Sequence, residues 1–340
     1  MKRKIYIQIL GVLSCLAVVV LHTNGCFWDF SYERYWLTAN LIENLCYFAV
    51  PIFFMISGAT LMDYRKRYST EEFFKKRFWK TVVPFLIWSV VGIVWMYFNY
   101  GEHPAGILDA IQAIGTTKYV YIYWFFPALF SIYLAMPLLS CVPEKMRKRV
   151  FAYAIAAYFI VEALLPLIFE LLKMPFNSDF CMPAVAGYLV YTLLGYWISH
   201  YELSKKVRIW IYVLAVCGLL IQLLGTQVLS LHAGEIVTTF KGYKNVPCIL
   251  YSVGVFTFFR NLKNEKALRV LDRITAPFSK MTFGIYLIHW YFIQTIIKYQ
   301  IFPVTSIWYR ILGSIGIFLL SAGIVKILQM IPVIKRAIPS

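Results

Sequence analysis

Of 340 residues, 61% are hydrophobic and 18% aromatic, while only 14% carry a charge. A soluble globular domain holds about 25% charged residues, so the composition excludes one and requires a polytopic membrane protein. The net charge of +17 is then a question of which loops hold the cations, and nucleic acid is not an expected partner.

The chain opens with MKRK and the run IYIQILGVLSCLAVVVLHTNG, Ile5–Gly25, which contains no charged side chain. It is too long for a signal peptide and no small-residue cleavage site follows, so it reads as a retained first helix. Further apolar runs fall near 41–62, 81–99, 120–140, 150–172, 183–200, 209–227, 245–260, 281–298 and 307–330. Lys and Arg crowd into alternate connections: Lys2–Lys4, 63–80, 145–149, 205–208, 260–280, and Lys326, Lys335 and Arg336. The intervening loops hold only Arg34, Lys118, Lys173, Lys241, Lys244, Lys298 and Arg310. This asymmetry predicts an all-α bundle of ten spans with both termini cytoplasmic, in a cell membrane. No loop exceeds about twenty residues, so residues 1–340 form one integral membrane domain and any chemistry lies within the bundle.

Candidate residues follow in chain order. His22 lies 17 residues beyond Ile5, about 25 Å up the first helix and in the outer half of the bilayer. An intramembrane ionisable group marks a functional site by default, the other reading being a hydrogen bond in the headgroup layer. The face below it carries Val18, Cys15, Gly11 and Gln8, either a channel wall or a seam for close helix packing. Glu43 and Asn44 enter the second span at the depth of His22, where a carboxylate would fix the histidine tautomer and strengthen it as a base. In the connection Asp63–Lys80, Ser69-Thr70-Glu71-Glu72 reads as a helix start. Phe73, Phe74, Phe78 and Trp79 form its greasy face and Lys75, Lys76, Arg77 and Lys80 its basic one, suited to anionic lipid or to a phosphorylated cytosolic ligand. Glu162, mid-span, needs a partner or a proton, and Glu170 is costly if it faces lipid. His289, in FGIYLIHW, lies about 12 Å from the inner end of the ninth span, too low to pair with His22, and reads as a hydrogen-bonded core or lining residue. The seven cysteines lack metal-ligand spacing, and only Cys26 and Cys181 are placed to pair on the outer side. No metal or redox cofactor motif occurs.

Several segments in order, FAVPIFFMISGATL (48–61), KKRFWKTVVPFLIW (75–88), YWFFPALFSIYLAMPLL (123–139), GYLVYTLLGYWI (187–198) and FGIYLIHW (283–290), with VVVLH ending at His22, resemble the membrane-bound acyltransferase 3 family over essentially the whole chain. The resemblance implies about ten helices, an acyl-CoA donor (usually acetyl-CoA) on the cytosolic side and transfer to a hydroxyl of an outward-facing carbohydrate or glycolipid acceptor. It makes His22 the catalytic base, beside which Glu43 stays the second catalytic candidate from its depth, and it gives the donor phosphates to Arg77, with Lys76 and Lys80 as candidates from the same basic cluster. The chain departs from the family at Gly11, where an arginine is usual, and this departure leaves a transporter or export component as the alternative.

Overall fold

The computed structural model describes residues 5–332, 334 and 337–339. The expected cytoplasmic cations Lys2, Arg3, Lys4, Lys335 and Arg336 lie outside the described residues. Every regular element among the described residues is helical. The first is α1 (Ile5–Thr23). The second path is broken into α2 (Arg34–Cys46) and α3 (Ala49–Leu61), because Pro51 has no N–H to offer the Tyr47 carbonyl. Next comes α4 (Thr70–Arg77), capped as expected by Ser69, whose hydroxyl accepts from the Glu72 amide.

A π-helical turn, Phe78–Val82, leads into α5 (Val83–Tyr100). After α6 (Ile107–Gly115), α7 (Phe125–Cys141) and α8 (Glu144–Tyr158), a second π turn, Phe159–Leu164, leads into α9 (Leu165–Leu171). Both π turns directly precede a proline, Pro84 and Pro166, and their wider register absorbs the hydrogen bond that proline cannot donate. The remainder is α10 (Leu189–His200), α11 (Lys205–Ala233), α12 (Val246–Asn261), α13 (Glu265–Thr275), α14 (Thr282–Lys298) and α15 (Ser314–Met330).

Seven helical paths are long and apolar enough to cross a membrane: Ile5–Thr23, Arg34–Lys66, Thr70–Tyr100, Tyr121–Cys141, Glu144–Leu171, Lys205–Ala233 and Tyr309–Met330. The expected sixth, eighth and ninth spans exist as α10, α12 and α14, but have only 12, 16 and 17 residues. Lipid thickness does not set the length of a helix that protein surrounds, and ten of the twelve residues of α10 are buried. The basic connections gather at one end of the bundle. There Arg147 reaches Asp63 at 2.6 Å, His200 reaches Asp63 at 3.2 Å, and Arg260 reaches Glu202 at 2.9 Å. The opposite end is held by Lys241 on Glu43 and by Arg310 on Asn24 and Thr38.

The tightest seam joins α3 to α10. A Cβ added to Gly58 would lie 1.8 Å from the Thr192 carbonyl oxygen, and one added to Gly195 would lie 1.9 Å from that of Met55. These two glycines sit in the FFMISG and GYWI segments, so part of that sequence signature is a backbone-to-backbone contact. Gly195→Ala is expected to destabilise the protein by at least about 1–3 kcal/mol through overpacking, whereas Gly316→Ala, which meets nothing within 4 Å, should be silent. Thermal unfolding of the two purified variants in one detergent checks this.

Candidate active site

The half of the bundle remote from the basic end encloses a cavity of about 680 Å³. From α1 and the residues just beyond it come Val18, Leu21, His22 and Gly25. From the broken second path come Glu43, Tyr47 and Val50, spaced four and three apart on one helical face. The break at Pro51 angles this face into the cavity. Aromatic side chains supply much of the remaining wall, among them Trp124, Phe125, Tyr188, Tyr243 and Tyr286. The mouth is marked by Trp28 and Tyr121, 54% and 55% exposed.

At the cavity wall His22 meets His289: Nδ1 of the first lies 2.8 Å from Nε2 of the second. The rings are 5.0 Å apart at 16°. This overturns the expectation that depth would keep the two apart. The reason is that α14 does not begin level with the start of α1. Cys15 Sγ donates to the Thr282 carbonyl at 3.4 Å, so the first residue of α14 stands level with the middle of α1. Seven residues further on, each of the two parallel helices presents its histidine. The level of the first turns of α1 is taken instead by α13, whose Asp272 accepts from Gln8 Nε2 at 2.7 Å. Of the stripe, Gln8 and Cys15 pack against α13 and α14, while Val18 lines the cavity.

The pair has a direction. His289 Nδ1 lies 2.9 Å from the Ile285 carbonyl, which can only accept, so Nδ1 carries the proton and Nε2 is left as an acceptor. His22 must then donate from Nδ1. Its Nε2 is unprotonated when the ring is neutral, has no hydrogen-bond partner among the described residues, and belongs to a ring that lines the cavity.

Glu43 shares the cavity with His22, but other groups hold its carboxylate. Oε1 lies 3.1 Å from Lys241 Nζ, and Oε2 is 3.5 Å from Asn24 Nδ2. The Lys241 ammonium sits 3.8 Å from the centroid of Tyr47, 4.5 Å from Trp28 and 5.0 Å from Phe27. Its contact with Glu43 is ionic and not an aligned hydrogen bond, since Nζ has no partner of hydrogen-bond geometry. Burial pushes the Lys241 pKa down, against the pull of Glu43. Arg310, fully buried, donates to Asn24 Oδ1 at 3.3 Å and to Thr38 Oγ1 at 2.8 Å. Glu43 is thus held at the rim, and the side chain in hydrogen-bond contact with His22 is His289. Lys241 and Arg310 escaped the sequence reading; their only signal is that each is an isolated cation on the cation-poor side.

The basic end divides the residues expected to act together. Lys76 pairs with Glu72 at 2.9 Å and lies over the Tyr68 ring, and Lys80 is exposed. Arg77 turns the other way, over Phe73 and Tyr133 at 5.8 and 5.7 Å, with Nε buried and unpartnered. The reason is spacing, because Arg77 follows the buried Phe73 by four residues and shares its face. A Cβ at Gly11 would meet only Ile56 Cδ1, at 3.9 Å. Glu162 finds its partner in the Met182 amide at 2.7 Å, while Glu170 is exposed. Cys26 and Cys181 are both free, one buried and one exposed.

Removing one member of a buried ion pair typically costs about 3–5 kcal/mol, because the other charge is stranded. Glu43→Gln should therefore lower the melting temperature sharply, and Glu43→Gln with Lys241→Met should recover most of the loss. A double-mutant cycle on thermal unfolding measures the coupling.

Comparison with known proteins is consistent with this architecture. No curated protein and no solved structure matches the chain. Residues 4–326 match an acyltransferase domain, far more than half of the sequence. The chain belongs to the acyltransferase 3 family and is a multi-pass membrane acyltransferase.

Proposed function

We propose that this enzyme moves an acyl group, in the first instance acetyl, from acyl-CoA at the basic end to a hydroxyl of a carbohydrate or glycolipid at the far side of a cell membrane. The basic end is cytosolic in this reading, as the charge distribution requires. The observation that carries the proposal is the His289–His22 hydrogen bond, which leaves a lone pair on His22 Nε2 at the cavity wall.

In the reaction, Nε2 takes the proton of the acceptor hydroxyl as its oxygen attacks the thioester carbonyl. The C–S bond breaks, the acyl group stays on the acceptor oxygen, and the proton passes from His22 to the departing thiolate. A thioester is already activated, so positioning and one general base suffice. His289 is a positioning residue that fixes the His22 tautomer, as a carboxylate does in hydrolytic triads. The aromatic walls offer flat apolar faces with polar edges, suited to a sugar ring. At the cytosolic end Arg77 meets the donor phosphates, and Lys76 and Lys80 draw the polyanion toward that face.

His22→Ala should reduce transfer from labelled acetyl-CoA to glycan acceptors by about 10²–10⁴-fold without loss of folded protein. Proteoliposomes with donor on the basic side check this, and transfer at the wild-type rate would sink the proposal. His289→Leu should lower kcat by about 10²-fold and displace the pH–rate profile while leaving KM for the donor in place. His289→Gln, which keeps an acceptor oxygen, should recover part of the rate.

A further inference from the structure

A second cavity, of about 570 Å³, opens at the basic end beside the first turn of α1. It is lined by Tyr6 of α1, Glu202, Arg208 of α11, and Arg260, Asn261 and Lys263 at and beyond the end of α12. Cations are expected at a cytosolic membrane face, but these are not placed as lipid-facing anchors. Arg208 Nη1 and Arg260 Nη1 both donate to one oxygen, Asn261 Oδ1, at 3.2 and 3.3 Å. Two guanidinium groups brought to a single neutral oxygen repel each other unless an anion joins them.

The protein supplies only part of that anion. Glu202 pairs with Arg260 at 2.9 Å, but it is 86% exposed and does not touch Arg208 among the described residues. The hydrogen bond and charge of Arg260 hold its carboxyl below the usual range, so it remains ionised and the cavity still carries three cations against one carboxylate. Arg208 Nε is buried without a partner. Planar, converging guanidinium donors are the arrangement that suits phosphate oxygens.

We propose that this cavity binds a phosphate group, with Arg208 and Lys263 as its uncommitted cations and Arg260 held beside them by Glu202. Two sources carry that chemistry at a cytosolic face: the nucleotide end of an acyl-CoA donor, and the headgroup of an anionic lipid. The first source rests on the acyl-transfer reading; the second does not.

The test uses the full chain in nanodiscs of neutral phosphatidylcholine, comparing wild type with Arg208→Gln, Lys263→Gln and the double variant, which leave the Arg260–Glu202 pair in place. Coenzyme A is titrated by calorimetry, and phosphatidylglycerol is titrated in a second series read by thermal shift. A tenfold or greater loss of coenzyme A affinity in the double variant, against wild-type affinity for a control Lys118→Gln, establishes a nucleotide phosphate site. Unchanged coenzyme A binding with loss of the phosphatidylglycerol shift establishes a lipid phosphate site. If a folded, monodisperse double variant keeps both responses, or if wild type shows neither, the proposal is overturned. Failure of the acyl-transfer reading is seen separately, as wild-type protein that never consumes acetyl-CoA whatever its phosphate binding.

Discussion

The site depends on the parallel register of α1 and α14. Two imidazoles in the interior of a membrane protein are each costly if unpartnered. Here each satisfies the other, and His289 is tied in turn to the Ile285 carbonyl. The contact exists only because α14 starts level with Cys15. That start is set by α13, which occupies the level of Gln8 and delays the entry of the chain into its next helix. A shift of α14 by one residue would turn His289 about 100° around its axis and dissolve the pair. The register is thus fixed by polar contacts well away from the reacting atoms.

Charge at the opposite end follows a similar economy. Glu43 and Lys241 are both almost wholly buried, and Arg310 has no carboxylate in contact among the described residues. Asn24 links them by donating toward Glu43 and accepting from Arg310. The network joins the end of α1, α2, the loop before α12 and the turn before α15, which are distant in sequence. The π turn Tyr309–Gly313 widens the helix where Arg310 must reach inward. These contacts form a chain of one ion pair and several hydrogen bonds, in which the carboxylate of Glu43 faces Lys241 and Asn24.

Much of this was legible from the chain itself. Composition and charge placement give a helical membrane protein with alternating loops, and the positions of ten apolar runs match ten helical paths, of which seven meet the length of a span. The cost of a histidine in a bilayer singles out His22, which does line the cavity, and the capping pattern gives Ser69. What could not be read was depth. Hydropathy marks where a run is apolar, not where its helix begins relative to its neighbours, and an amphipathic helix such as α13 can raise the next start by several turns. Partner choice was equally hidden. Glu43 stands at the right depth for His22, but Lys241, nearly two hundred residues later, holds its carboxylate. Arg77 was grouped with the neighbouring lysines by composition, although its spacing from Phe73 already placed it on the inward face.

The smaller cavity meets α1 at Tyr6, and the larger one meets it at Val18, Leu21 and His22. Between those levels the helix is packed, with Leu10 and Ser14 fully buried. From Tyr6 to His22 is about 24 Å along the helix. A phosphate drawn along that distance would have to leave its cations for a wall without charge, at a cost that hydrocarbon-like surroundings make prohibitive. An uncharged thioester arm faces no such penalty. The distribution of charge therefore divides a donor of this kind by polarity: its phosphates stay at the basic end, and only the neutral arm needs to enter the bundle. Ser14, whose hydroxyl is buried without a partner, lies midway between the two levels. In the proposed reaction such a barrier would admit the acyl group while excluding the anion attached to it, and the proposed base, His22, stands at the cavity on its far side.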